Sequence, residues 1–281
     1  MSLIKFITVF DDEKQKLLYY DILKTYSISA YPSAYYNGKR AYIDVLGTNS
    51  AKYFEHLNEF ENLTGPTIPV AIFQDAISKA YDDGYLVAAI ICPFKKWMPQ
   101  YYRNAVLAAE NFRRHIDVDH TTFKICVIDS KAFAAGYLYF TLQLARLHVN
   151  DHCPTGIVLE DSKNFVSKTI YLTKSGEKFG FENGKFAAFR TFGKRFYTDI
   201  NISESTDYVK FDNFAKACAK YIRISGGKYC VSFGAGCNFS GNVIGRIEKI
   251  LGYPPIATMQ YSTTSAAVLG LETICIHIFS K

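Results

Sequence analysis

Residues 86–112 read LVAAIICPFKKWMPQYYRNAVLAAENF. An apolar run stops at Pro93, two lysines and the chain's one tryptophan follow, and beyond Pro99 the apolar residues recur at helical spacing. Strand, loop, helix is the unit from which parallel α/β sheets are built. A short apolar run bounded by proline suits a strand covered on both faces. Pro99 suits the first helical position, where its missing N–H has no partner to lose. The turn between them is unusual, because Lys95, Lys96 and Trp97 stand where many binding turns carry glycine. An anion with an apolar part would suit such a corner.

The same alternation extends on both sides. Residues 3–9 predict a strand, 12–26 a helix, and 28–44 two strands about Asn37-Gly38, a strong hairpin signal. Residues 48–60 predict a helix capped by Thr48 or Ser50, 63–69 (LTGPTIP) a turn-rich loop, and 70–84 a helix stopped by Gly84. After the opening unit, 124–129 predicts another buried strand, and Ser130 is expected to cap a helix over 131–148. This order argues an α/β fold with a mainly parallel sheet up to residue 152 and NDHCPTG (150–156) as a linker. The texture then changes. Residues 168–196 read as strands with a hairpin at Asn183-Gly184, followed by helix 210–222, strand 228–234, helix 240–252 and a closing strand, polar turn and strand. Two α/β domains are expected, 1–152 and 153–281, with the principal cavity between them.

Composition narrows the function classes. Apolar residues make up 49% and charged residues 21%, a globular balance. A net charge of +6 is too small to argue for nucleic acid by itself. The 22 Phe and 21 Tyr fit an aromatic-lined cavity, and equally a codon bias toward A and T, which is the reading preferred. The longest apolar run, 86–94, falls well short of the roughly 20 residues of a membrane span. The first residues, MSLIKFITVFDDEKQ, lack a signal-peptide layout, so a cytoplasmic protein is expected. The seven cysteines are odd in number, form no CxxC, and read as reduced core residues without metal-ligand spacing.

Several apparent motifs fail on inspection. FGAGCNFSGNVIGRI follows a strand and opens a helix, but Phe239 stands where a dinucleotide fingerprint needs its third glycine. Asn242 stands where a P-loop needs lysine, so this reads as a structural turn. The histidines (56, 115, 120, 148, 152 and 277) stand beside no credible pair of nucleophile and carboxylate and read as surface or helix-capping residues. Ser130 lacks the G-x-S-x-G context of a nucleophile elbow. No catalytic residue, metal site or cofactor is expected.

The order of these pieces resembles the DegV family of bacterial lipid-binding proteins. The stretches that carry the resemblance are 5–42 for an opening strand, helix and hairpin, then FQDAISKAYDDGYLVAAII with QYYRNAVLAAE, and CVIDSKAFAAGYLYFTLQLARL, the nearest match. FENGKFAAFRTFGKRF resembles the family's basic hairpin, and PPIATMQYSTTSAAVLGLE its C-terminal turn. The resemblance implies a protein without chemistry of its own that holds one long-chain fatty acid in a tunnel between its domains. The carboxylate would be held at the mouth by a Thr-Ser-x-Pro loop, a serine-rich loop and a His-Thr-Gly-Pro-Gly turn. Some members present the acid to a partner kinase. This chain departs at each of those loops. The first leaves Thr64 and Thr67, the second aligns its serines with Lys95 and Lys96 beside Trp97, and the third becomes STTSAA with Thr263, Thr264 and Ser265. Loss of the family's histidine weakens the kinase-coupled role most. Arg190, Lys194 and Arg195 of the basic hairpin would meet a partner. The residues themselves leave open a phosphate-ligand protein or an enzyme using the same cleft, or a family member kept for interaction alone.

Overall fold

The computed structural model describes residues 3–10, 20–26, 28–32, 34–37, 40–43, 63–95, 98–115, 122–132, 134–164, 167–174, 185–187, 189–191, 194–196, 200–201, 207–261 and 273–279. The helix expected over 48–60, the Asn183-Gly184 turn and the polar turn at 263–265 lie outside the described residues. The chain forms two units, residues 1–133 with 137–164, and residues 134–136 with 165–281.

In the first unit β1 (Ile4–Phe10), α1 (Tyr20–Thr25) and β2 (Ile28–Pro32) are followed by β3 (Ala34–Asn37), β4 (Arg40–Ile43) and β5 (Leu63–Thr67). Then come α2 (Val70–Asp82), β6 (Val87–Cys92), α3 (Pro99–His115), β7 (Lys124–Asp129), α4 (Ala134–Val149) and α5 (Thr155–Asn164). The turn at 150–156 leads into α5, which belongs to this unit. The main sheet has the order β2-β1-β6-β7, and every pairing in it is parallel. All six residues of β6 are buried, as an uninterrupted apolar run in a central strand requires. Helix α2 buries Phe73, Ala76, Ile77 and Ala80, and α3 buries Tyr101, Ala105, Ala108 and Phe112, both at helical spacing. Helix α2 ends as expected, with Gly84 in the left-handed region at φ 79°.

Two expectations need correction here. The 28–44 stretch makes three strands, because β2 joins the parallel sheet while β3 and β4 form the hairpin across Asn37 and Arg40. The LTGPTIP stretch contains a strand, β5, at the edge of a three-stranded antiparallel sheet β4-β3-β5. Its glycine and proline suggested a loop. The register shifts between Ala34 and Tyr36, and such a bulge on an edge strand is where proline is tolerated.

The second unit holds β8 (Ser167–Lys174), β9 (Lys185–Ala187), β10 (Phe189–Thr191), β11 (Lys194–Phe196), β12 (Ile200–Asn201), α6 (Asp207–Ile224), β13 (Lys228–Phe233), α7 (Ser240–Leu251), β14 (Thr258–Gln260) and β15 (Thr273–Phe279). Its six-stranded sheet runs β12-β9-β8-β15-β13-β14, antiparallel except for the β13–β14 pair. One face carries the apolar core. Ile274, Ile276 and Ile278 of β15 pack with Tyr229 and Val231, with Phe214, Cys218 and Ile222 of α6, and with Val243 and Ile247 of α7. Successive strand residues alternate faces, so Cys230 and Ser232 share the other face with Cys275 and His277. Gly252 closes α7 in the left-handed conformation at φ 86°, donating its N–H to the Glu248 carbonyl.

None of the seven cysteines forms a disulfide, and Cys92, Cys218, Cys230, Cys237 and Cys275 are buried. Burial pushes the Cys230 thiol up to about 12, so it is inert as a thiolate. No helix among the described residues is long and apolar enough to cross a membrane.

His277 corrects the surface reading of the histidines. It is fully buried, and its Nε2 shares a hydrogen bond of 2.7 Å with the hydroxyl of Ser232, which is also fully buried. Gly136 lies against it. A Cβ there would sit 2.7 Å from Nδ1, so only glycine fits. Removal from water lowers the His277 pKa to about 3, and the imidazole is neutral in the fold. Below about pH 6.5 the unfolded chain takes up a proton at this position that the folded chain refuses. The stability contribution is therefore complete above pH 6.5 and is lost as pH falls from there toward 3. The slope is about 1.4 kcal/mol per pH unit. Urea unfolding at pH 7.5 and pH 5.0 should show the parent losing about 2 kcal/mol more than His277→Gln between the two conditions. Equal losses would mean that the imidazole is not held neutral.

Candidate functional site

The sheet order places a reversal between β1 and β6. From β1 the chain crosses by α1 to β2 on one side, and from β6 it crosses by α3 to β7 on the other. Ligands of such sheets bind outside the carboxyl ends of the strands at that reversal. Here the position is filled by a phenol. Thr8 opposite Ile91 is the last rung between β1 and β6. At this end the Tyr137 hydroxyl donates to the Ile91 carbonyl at 2.6 Å and accepts the Val9 N–H at 2.9 Å. Its single proton is given to Ile91, so Thr8 Oγ1, which also touches it, is the donor in that contact.

The neighbouring strand ends, of β6 and β7, are built differently. Ser130 N–H donates to the Cys92 carbonyl at 3.0 Å, and Phe94 N–H to the Ala132 carbonyl at 2.8 Å. One carboxylate oxygen, Oδ1 of Asp129, accepts both the Lys95 N–H and the Lys131 N–H, each at 3.1 Å. Ser130 does not cap α4, which begins only at Ala134. Its hydroxyl accepts the Ala132 N–H at 3.2 Å and lies 3.1 Å from the Ala132 carbonyl, forming a local turn. Short polar side chains after a strand compete for nearby backbone in this way. Lys131 and Ala134 have φ of 54° and 44°, an uncommon conformation for residues with a Cβ.

Of the residues singled out from sequence, Lys95 is exposed at this corner, its ammonium 5.1 Å from the centre of the Tyr102 ring of α3. That is cation–π distance. Thr67 is buried at the end of β5, where its hydroxyl accepts from Asn104 Nδ2 of α3 at 2.9 Å. The same amide donates to the Ile68 carbonyl at 2.8 Å. Lys95 and Thr67 are thus each tied to the first turns of α3. Thr64 lies in β5. Arg190 and Arg195 are directly opposite in the β10–β11 pair, with Thr191 opposite Lys194. Lys96, Trp97, Thr263, Thr264 and Ser265 lie outside the described residues.

The glycine-bearing turn before α7 uses its amides internally. Cys237 N–H donates to the Gly234 carbonyl, Asn238 N–H to Gly236 and Ser240 N–H to Cys237. A phosphate cradle needs such amides free. Among the described residues no group of three or more His, Cys, Asp or Glu could hold a metal ion.

No protein-family model matches the sequence, and no curated protein matches it. Solved structures do. A fatty-acid-binding DegV family protein from Streptococcus agalactiae superposes with a TM-score of 0.74 at 12% identity, covering 100% of both chains. A stearic-acid-binding protein from Eubacterium ventriosum gives 0.73 at 14% identity, over 99% of this chain and 98% of that one. The fatty acid kinase B3 protein of Streptococcus pneumoniae, loaded with linoleic acid, gives 0.71 at 12% identity over 100% of both. The chain has the DegV fold.

Within the DegV fold, three contacts at this end of the sheet escaped the sequence reading. Asp129 sits inside the VIDSK stretch but reads as the polar end of a strand. Asn104 and Tyr137 read as ordinary helix residues, since the spacing of polar atoms across 37 and about 129 positions leaves no local signal. Tyr137→Phe removes the hydroxyl and leaves the Val9 N–H and Ile91 carbonyl without it. Stability should fall by on the order of 2–4 kcal/mol in denaturant titration. A change under about 0.5 kcal/mol would mean that water or another group satisfies both.

Proposed function

We propose that this protein is a non-catalytic carrier of a long-chain fatty acid or a similar amphipathic anion, with the carboxylate received at Lys95. The observation that carries the reading is that solved structures sharing the DegV fold over nearly the whole chain hold fatty acids: stearic, vaccenic, linoleic and heptadecanoic. Lys95 supports it chemically. Its ammonium lies over an aromatic face at the carboxyl end of a parallel sheet, and an ammonium is a point charge suited to a carboxylate. Thr64, Thr67, Lys96, Trp97, Thr263, Thr264 and Ser265 complete the proposed head-group region. The carrier needs no cofactor and acts in the cytoplasm.

A nucleophile is not required by this reading. The contact between Ser232 and His277 joins two fully buried residues within a sheet, out of reach of substrate. Presentation of the bound acid to a partner kinase is the extension that the pneumococcal neighbour's name supports. Arg190, Lys194 and Arg195 are its proposed contact. A phosphate-bearing ligand is the second reading, because the Lys95 ammonium suits either anion.

Solvent extraction and lipid analysis of the purified protein should recover about one acyl chain per polypeptide. In titrations of delipidated protein, Lys95→Met should weaken oleate binding about tenfold. That corresponds to the loss of about 1.5 kcal/mol, the low end for a hydrogen bond to a charged group because the ammonium is exposed. Methyl oleate, which lacks the charge, should bind both proteins alike. A parent that takes up no lipid but binds a phosphate compound would replace the carrier reading with the second one.

A further inference from the structure

Two lysines from two different loops are anchored to one atom. The Lys95 and Lys131 amides both donate to Asp129 Oδ1 at 3.1 Å, so the two nitrogens lie within twice that distance of each other. Lys95 leaves the end of β6 and Lys131 leaves the end of β7, adjacent parallel strands whose carboxyl ends face the same way. Both side chains are exposed. Two four-carbon stems starting this close can bring both ammonium groups to a single small anion. The backbone at Lys131 is held at φ 54°, a conformation that residues with a Cβ seldom adopt and that here accompanies its bond to Asp129.

We propose that Lys131 is a further cation of the head-group site, paired with Lys95, and that Asp129 is the residue that positions these two lysines. The inference rests on the carrier reading for the identity of the anion. It does not rest on it for the pair itself. Among the described residues Asp129 accepts from two backbone N–H groups, so its role is geometric. Asparagine, whose side-chain oxygen also accepts, can fill it without the charge. Alanine cannot, and would free the two loops from each other. Holding both loops before the ligand arrives lowers the ordering cost of binding.

The test is a titration of delipidated full-length protein with oleate, methyl oleate and dodecyl phosphate. The variants are Lys131→Met, Asp129→Ala and Asp129→Asn, beside the parent. Methionine keeps the stem of Lys131 and adds no new backbone burden at φ 54°. Lys131→Met should bind oleate about tenfold more weakly and methyl oleate unchanged. Asp129→Ala should lose tenfold or more for oleate, and Asp129→Asn should recover most of that loss. A mere loss of fold would weaken the neutral ester as well and would not be rescued by asparagine. If the parent binds oleate and Lys131→Met binds it equally well, the paired-lysine site is wrong and the carrier reading stands. If the parent ignores oleate but binds dodecyl phosphate in a Lys131-dependent way, the paired site stands and the carrier reading falls. A parent that binds none of the three overturns both.

Discussion

Parallel strands share their amides only while they run side by side. Where one turns away, its last N–H and C=O groups must find another partner or be left buried and unpaired, at a cost comparable to a lost hydrogen bond. The first unit meets this constraint at the carboxyl ends of its sheet in two ways. Between β1 and β6 the Tyr137 hydroxyl bridges Val9 N–H and Ile91 C=O. Between β6 and β7 the loops bond to each other, through Ser130 to Cys92, Phe94 to Ala132, and the shared Asp129 oxygen. The first solution fills the place where such a sheet ordinarily receives a ligand. The second leaves side chains on the outside, and among them are the exposed lysines. The candidate site follows from how the sheet ends.

The second unit divides its sheet between two kinds of face. The apolar face packs three isoleucines of β15 under α6 and α7. The opposite face holds small and polar residues: Cys230, Ser232, Cys275 and His277, all of them fully buried. A buried hydroxyl and imidazole are acceptable only because each satisfies the other, and because the ring has given up its proton. Gly136 removes the one carbon that would collide with that ring. The polarity of this face is thus consistent with structure alone.

Much of this was legible in the sequence, and the failures share a cause. The Leu86-to-Phe112 stretch declared its strand, turn and helix because its signals are local: an apolar run, two prolines and a 3.6-residue period. The same holds for α2 with Gly84 and for α7 with Gly252. LTGPTIP reads as a loop because glycine and proline in five residues outweigh a strand pattern, whereas an edge strand with a bulge accommodates both. The helix start falls three residues beyond the one that Ser130 signals, because its hydroxyl takes the Ala132 amide two positions on and forms a local turn. At the candidate site, Lys95 was conspicuous by its type. Asp129, Lys131 and Tyr137 were not, because each acts through contacts made by folding between separate β–α units.

The departures at the proposed head-group loops are physically compatible with the fold and with the binding of an acyl ligand. A charged hydrogen bond at an exposed corner contributes roughly tenfold in affinity. Ten buried methylenes would contribute on the order of 8 kcal/mol before ordering costs. In a carrier of this kind the chain supplies most of the affinity, and the head group sets which ligands are admitted. Exchanging hydroxyl donors for ammonium groups then alters selectivity far more than occupancy. It needs no change in the sheet, because Asp129 already fixes the loop by its backbone. The side chain at position 95 is free to differ while its amide is not, which is how a site can diverge in chemistry while the scaffold that presents it is kept.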